Sequence, residues 1–245
     1  MTLDRALAIA ARIIRQFAHD RRTMGMIVFV PLLVMTLVGL SFPEKGILDY
    51  IAPALLAAMA LFFVFILTGV SFLRERSQGT LERLMASPVS RTEIMVGYLL
   101  GFLLFAALQA LIILLYVILV LKVHYAGSLW QVFVFQLIIT VGALNLGLFV
   151  STYARNELQV IQFIPLVMVP QFFLCGLLWP VKQMPNYLQY ISKVLPLTYA
   201  VEGLREIMLA GRTLLDVWVD LAVLLAFAAF MTAMGALTLR RGSGA

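Results

Sequence analysis

Apolar residues fill this chain in six long blocks, 23–42, 51–73, 94–121, 129–151, 160–179 and 217–239. Each has the roughly 20 mostly apolar residues that a helix needs to cross the hydrocarbon of a bilayer. Apolar and polar positions do not alternate within the blocks, which excludes the strands of a membrane barrel. In lipid a backbone N–H or C=O has no water to bond, and a helix satisfies both internally. The pattern predicts an all-α, polytopic membrane protein with six transmembrane helices.

Three segments outside the blocks have patterns of their own. Residues 1–22 place Leu3, Leu7, Ala10, Ile14 and Phe17 on one helical stripe, with Arg5, Arg12, Arg15, His19 and Arg22 opposite. This predicts an N-terminal amphipathic helix lying in the membrane interface with its arginines toward anionic headgroups. A frayed basic leader that only sets topology is the alternative. In 74–93, Gly79-Thr80 breaks the preceding helix, and 81–86 can form one or two new turns. Ser87-Pro88 ends them, because the residue before proline is pushed out of the helical region. Ser90 and Glu93 then have capping-box spacing for the third block. The result is a short helix parallel to the membrane, with Leu81, Leu84 and Met85 apolar and Glu82 and Arg83 charged. A solvated charged turn is the other reading.

The third segment, 180–216, is divided by Pro180, Pro185 and Pro196 into two apolar pieces, about 186–194 and 198–210. Neither is long enough to cross. They are read as an external re-entrant helical hairpin between spans five and six. Glu202, Arg205 and Glu206 lie near one another at helical spacing, and an ion pair of Glu202 with Arg205 would reduce their burial cost.

Composition agrees with a lipid solvent. Hydrophobic residues make up 63% and charged residues 12%, against about 45–50% and about 25% in soluble domains. The net charge of +6 would suggest nucleic acid in a soluble protein. Here the basic residues sit between apolar blocks, so topology explains them and no nucleic-acid partner is expected. With a cytoplasmic N-terminus, 12 of the 18 basic residues face inward: Arg5, Arg12, Arg15, Arg21, Arg22, Arg74, Arg76, Arg83, Arg91, Arg155, Arg240 and Arg241. Both termini are therefore expected in the cytoplasm. The single cysteine, Cys175, forms no internal disulfide and suggests no metal cluster.

No nucleotide-binding or catalytic chemistry is written in the sequence. No G-x-x-x-x-G-K-[ST] phosphate cradle occurs. Gly97-x-x-x-Gly101 opens the third block, where it reads as a close helix-packing motif. The blocks contain no convergent nucleophile and base, no clear acid pair and no ionisable group near mid-membrane, which argues against an intramembrane enzyme and an ion-driven carrier. Their neutral polar groups, among them Thr68, Gln109, Gln136, Thr140, Asn145 and Gln171, read as interhelical glue more readily than as ligands.

Two stretches resemble a known family. Phe72-Leu-Arg-Glu-Arg-Ser-Gln-Gly-Thr-Leu-Glu-Arg-Leu-Met-Ala-Ser-Pro-Val-Ser-Arg-Thr-Glu-Ile resembles the "RE…GTLE.L..SPVSR.E" stretch of ABC type-2 transporter permeases. Leu178-Trp-Pro-Val-Lys-Gln-Met-Pro-Asn-Tyr-Leu-Gln and Leu195-Pro-Leu-Thr-Tyr-Ala-Val-Glu-Gly-Leu-Arg resemble its "FP…MP.WL" and "NPLTYAV.GLR" stretches. The departures are Leu195 in place of the commoner Asn and Tyr187 in place of the usual Trp. The small six-span permeases of drug-resistance and nodulation-factor exporters are the most similar in character.

The resemblance implies a single transmembrane domain that is not itself an enzyme. It would sit in a bacterial or archaeal cytoplasmic membrane beside a second permease subunit, identical or related. A cytoplasmic ABC ATPase subunit would carry the MgATP. The resemblance also makes the short helix at about 80–87 the coupling helix that docks into the ATPase, formed by Gly79, Thr80, Leu81, Glu82, Arg83, Leu84, Met85 and Ser87. It further implies that spans two and five border the substrate cavity. The candidate lining is then Phe62, Phe63, Phe65, Gln162, Phe163, Phe172 and Phe173, unless these face lipid or neighbouring helices. Such an uncharged lining suits a hydrophobic or amphipathic cargo such as a drug, lipid or lipid-linked molecule. A polysaccharide or glycolipid export permease and a non-transporting scaffold or sensor subunit are the alternatives.

Overall fold

The structure, a computed structural model, describes residues 3–42, 45–154 and 156–241. Among them the regular structure is helical: α1 Leu3–His19, α2 Arg21–Ser41, α3 Lys45–Ser77, α4 Thr80–Met85 and α5 Arg91–Leu119. Then follow α6 Leu129–Ser151, α7 Glu157–Leu174, a 3-10 turn at Val181–Gln183, α8 Asn186–Ser192, α9 Pro196–Ala210 and α10 Trp218–Arg241. Of the arginines used for orientation, Arg155 lies outside the described residues, as do the side chains of Arg21, Arg22, Arg91, Arg240 and Arg241.

Five helices, α2, α3, α5, α6 and α10, are long and apolar enough to cross a membrane. The fifth predicted block is shorter than expected. Its helix α7 stops at Leu174, and Gly176 follows at φ +85°. A left-handed backbone cannot continue the helix and is open mainly to glycine. Pro165 and Pro170 lie inside α7, where each removes one N–H from the helical ladder.

The core is organised around α3. Most of its surface is buried within the chain, whereas α2 and α10 bury little and present apolar side chains outward. Its closest neighbour is α6, and glycine permits the approach. A Cβ on Gly147 would stand 2.7 Å from the carbonyl oxygen of Phe65 and 3.0 Å from Thr68. α9 docks on the same pair. Leu197, Ala200, Val201, Leu204, Ile207 and Met208 are fully buried, and Gly203 faces the ring of Phe135, which a Cβ would overlap at 2.3 Å. The predicted external segment is thus packed into the bundle through one whole helix face.

Loops at the α9 end are pinned by hydrogen bonds. The Ala126 N–H donates to Met208 O at 2.7 Å, the His124 N–H to Asp49 Oδ1 at 2.8 Å, and the Leu214 N–H to Gln131 Oε1 at 3.1 Å.

Most polar side chains inside the spans return their hydrogen bonds to their own helix, which corrects the reading of them as interhelical glue. Thr68 donates to Val64 O, Thr140 to Leu137 O, Asn145 to Val141 O and Gln171 to Val167 O. In lipid a carbonyl one turn back is the nearest available acceptor. Gln109 and Gln136 are buried without a hydrogen-bond partner among the described residues.

Candidate functional site

The end of the bundle that carries α4 is built from local sequence signals. Gln78 and Gly79 N–H groups close on Arg74 and Arg76 carbonyls, and Gly79 takes φ +69°. This is the left-handed turn with which helices commonly terminate. α4 starts at once, its Arg83 N–H donating to Gly79 O at 3.2 Å. Ser87 closes its C-terminal end with two donors, the N–H reaching Leu84 O at 3.2 Å and the hydroxyl the same oxygen at 2.6 Å. Pro88 follows. At Ser90 the predicted capping box is present: the Glu93 N–H donates to Ser90 Oγ at 3.3 Å, and the Ser90 N–H to Glu93 Oε2 at 2.8 Å.

Within α4, Leu84 is half-buried against the core and Arg83 is exposed. The side chains of Leu81, Glu82 and Met85, three of the predicted coupling residues, lie outside the described ones.

α1 clasps this end. It lies along α5 with Ile9 over Gly97 and Ile13 over Gly101, close enough that a Cβ on either glycine would come within 3 Å of the isoleucine Cβ. The Gly97-x-x-x-Gly101 packing motif therefore has a definite partner. The docked face is Ala6, Ile9, Ala10, Ile13 and Phe17, while Leu3 and Leu7 are 61% and 49% exposed. The buried stripe is thus rotated from the expected one, because glycine on α5 selects for fit and not for side-chain size.

Arg12 also departs from expectation. Instead of facing headgroups, its guanidinium donates to Glu75 Oε2 and to the Tyr98 hydroxyl, each at 2.9 Å. Tyr98 in turn donates to the same Glu75 oxygen at 3.0 Å. Burial alone would depress the Arg12 pKa, but Tyr98 and Glu75 outweigh it and hold the guanidinium above its ordinary value. Phe72 packs edge-on against the Tyr98 ring, with centroids 5.2 Å apart.

Two further bonds join this end together. Arg5 donates to the carbonyl of Pro88, and Arg76 to Thr152 O at 3.1 Å. α1, the last turns of α3, the α4–α5 link and the end of α6 are thereby tied to one another. Arg74-Glu75-Arg76 was visible in the sequence as a charged motif. That Glu75 meets Arg12 and Tyr98 was not, since nothing in the spacing relates residues so far apart.

The candidate pathway residues divide. Phe62 contacts Phe63 at 5.1 Å and, across to α7, Phe172 at 5.9 Å between centroids. Phe163 is half-buried against the core. Phe65 is fully buried at the α3–α6 contact and is not available to a pathway. Gln162 and Phe173 lie on the exposed face of α7.

At the α9 end, the expected Glu202–Arg205 ion pair is replaced. Arg205 stacks its guanidinium over Tyr50 at 4.0 Å and donates to Tyr50 O at 3.3 Å. Burial lowers its pKa, with Tyr50 acting in the opposite direction. Glu206 pairs with Arg212 at 3.6 Å, and Glu202 is exposed.

A helical bundle with five spans long and apolar enough to cross a bilayer is the architecture of a multi-pass membrane protein. The family model described as ABC-2 type transporter matches residues 5–209, and the chain belongs to that family. It is 28% identical to "ABC transporter G family member 20" of Dictyostelium discoideum over 95% of this chain and 32% of that protein. It is 31% identical to "Probable multidrug ABC transporter permease YbhR" of Escherichia coli over 74% of this chain and 50% of the relative. It is also 31% identical to "Linearmycin resistance permease protein LnrN" of Bacillus subtilis, over 69% of this chain and 44% of the relative. The chain spans half or less of the length of these relatives.

Proposed function

We propose that this chain is the permease subunit of an ATP-driven exporter in a bacterial or archaeal cytoplasmic membrane. It forms one transmembrane domain with six crossing helices, α7 being the sixth, while α8 and α9 form a re-entrant hairpin on the outer side. Both termini and α4 face the cytoplasm. α4 docks into a separate ABC ATPase subunit that binds and hydrolyses MgATP, and a second permease subunit, a copy or a relative, completes the pathway. The cargo is hydrophobic or amphipathic. One relative has "multidrug" in its name and another "linearmycin resistance", and the Phe62–Phe172 contact offers an uncharged surface between α3 and α7.

The observation that carries the proposal is the mounting of α4. A six-residue helix has too few internal bonds to stand alone in water, yet here it is closed at both ends and tied through its flanks to α1, α3 and α5. Such a mounting transmits a push from a docked motor into the spans.

The test is purification from membranes and reconstitution with whatever ATPase co-elutes. Substrate-stimulated ATP hydrolysis is expected, and Gly79→Pro should abolish it while the permease still folds, since proline cannot adopt the φ of +69° found there. Coupled activity that survives this substitution removes α4 as the docking element. A co-eluting partner without nucleotide-binding motifs removes the exporter reading.

A further inference from the structure

The chain uses only part of the Arg205 guanidinium. Its face stacks on the Tyr50 ring at 4.0 Å, and Nε donates to Tyr50 O at 3.3 Å. An arginine stacked on a ring still offers its in-plane donors as a fork that matches a carboxylate or phosphate. Here the end of that fork is unfilled. Nη2 is buried without a hydrogen-bond partner, and Nη1 has no acceptor among the described residues. Arg205 as a whole is half-buried, so the Nη1 side stays within reach of a ligand. A buried donor left unpaired is costly, and a charged one more so.

The surroundings keep this edge open. Gly176, the left-handed corner after α7, lies against it, and a Cβ there would stand 3.6 Å from Nη1 and 3.2 Å from Val181. A longer side chain would reach across the guanidinium. The carboxylates of α9 do not fill the fork either. Glu206 pairs with Arg212 at 3.6 Å. Glu202, one turn back from Arg205, is exposed and acts on it only through space. Lys182 and Lys193, both exposed on the connection between α7 and α9, add positive charge.

Depth decides which anion can reach the site. All three tryptophans of the chain are exposed at this end. Trp130 lies in the first turn of α6, Trp218 opens α10, and Trp179 follows three residues after Gly176. Exposed tryptophans collect at the headgroup level of a bilayer. Leu178, exposed beside Trp179, offers apolar surface to a chain. The anion that a bilayer presents at that level is a lipid phosphate.

We infer that Arg205, with Tyr50 and Gly176, forms a site for the phosphate of an anionic phospholipid in the leaflet at the α9 end, the Nη1–Nη2 edge holding two of its oxygens. Binding is measured without nucleotide, so its outcome and that of ATPase coupling are independent.

The experiment uses the full chain in maltoside micelles, titrated with dioleoylphosphatidylglycerol or with dioleoylglycerol, which has the same chains and no phosphate. Native mass spectrometry counts the lipid retained. One phosphatidylglycerol should be held preferentially, and dioleoylglycerol should not. Arg205→Lys keeps the charge and loses the fork, so it should weaken that binding about tenfold. Arg212→Lys, at the same end, should leave it unchanged. Glu202→Gln removes a competing carboxylate from an exposed position and should tighten phosphatidylglycerol binding several-fold without affecting dioleoylglycerol. That variant keeps the test decisive if Arg205→Lys fails to fold. Equal retention of the two lipids, undiminished binding in Arg205→Lys, or indifference to Glu202→Gln would each overturn the assignment. Displacement of the lipid by excess inorganic phosphate would assign the fork to free phosphate and overturn the lipid as its occupant.

Discussion

Replacing Gly97 by alanine tests the clasp between α1 and α5 with a single methyl group. The added Cβ would stand 2.7 Å from Ile9 Cβ and 2.9 Å from Ala6 O, whereas ordinary contact begins at 3.4 Å. Two of the obstructing atoms belong to a β-branched side chain and one to the backbone of α1, so no flexible tip can swing aside. Either α1 retreats or α5 bends. Overpacking of this kind costs about 1–3 kcal/mol.

Gly25→Ala is the matched control, because nothing lies within 4 Å of its Cβ position. In a helix interior that change is expected to be neutral or to stabilise by up to about 1 kcal/mol. Thermal unfolding in maltoside micelles should separate the two variants by about 2–4 °C for each kcal/mol at this chain length. Trypsin should release fragments cut at Arg12 and Arg15 faster from Gly97→Ala than from Gly25→Ala, since a displaced α1 also gives up its bonds to Glu75 and Tyr98. Equal unfolding temperatures and equal cleavage rates would show that α1 does not rest on α5 as described.

Two further outcomes concern the Arg12 latch and the Thr213 turn. Glu75→Gln leaves Arg12 without its counter-charge. Full burial would make that loss about 3–5 kcal/mol, but Arg12 keeps 34% of its side chain exposed, so about 1–3 kcal/mol is expected after allowing for solvent screening. Tyr98→Phe should cost about 0.5–1.5 kcal/mol, and the double variant less than the sum, which a double-mutant cycle on unfolding temperatures measures. At the opposite end, the Thr213 N–H and hydroxyl both donate to Asp216 at 2.8 Å, holding its carboxyl below the ordinary 3.8. A depressed pKa means that the turn is favoured above the unfolded value and released as pH falls through the folded one. Thr213→Val removes the hydroxyl bond and keeps the N–H bond, so it should raise the Asp216 titration midpoint followed by NMR only in part; an unchanged midpoint would deny the hydroxyl bond.

Much of the bundle was legible because the signals are local. Gly79 as a break, Ser87-Pro88 as a stop and Ser90 with Glu93 as a capping box depend only on neighbours a few residues away. Block length identified the five long spans. It overestimated α7, since an apolar run continues through Gly176 while the backbone does not. The N-terminal segment was legible as a helix, and its buried face only in part. Of the expected stripe Ala10 and Phe17 are buried and Leu3 and Leu7 are not, because the groove at Gly97 and Gly101 seats Ile9 and Ile13. Arg12 and Arg205 illustrate the same limit. Each found its partner, Glu75 or Tyr50, on a helix far away in the chain, and no periodicity within one segment contains that information. The pathway residues were the least legible, because phenylalanine serves equally well in a core, as Phe65 does, and on a surface, as Phe173 does.

α3 is one continuous helix of 33 residues with Pro53 close to its Tyr50 tip, and is about 50 Å long at helical rise. Tyr50 lies near one tip and Glu75 near the other, so the Arg205 stack and the Arg12 latch are mounted on opposite ends of one lever. Pivoting such a rod by roughly five degrees about its middle sweeps each tip through roughly 2 Å, in opposing directions. The seat of Arg205 on the far side can therefore be disturbed from the near side without any intermediate segment having to unfold or relay a signal.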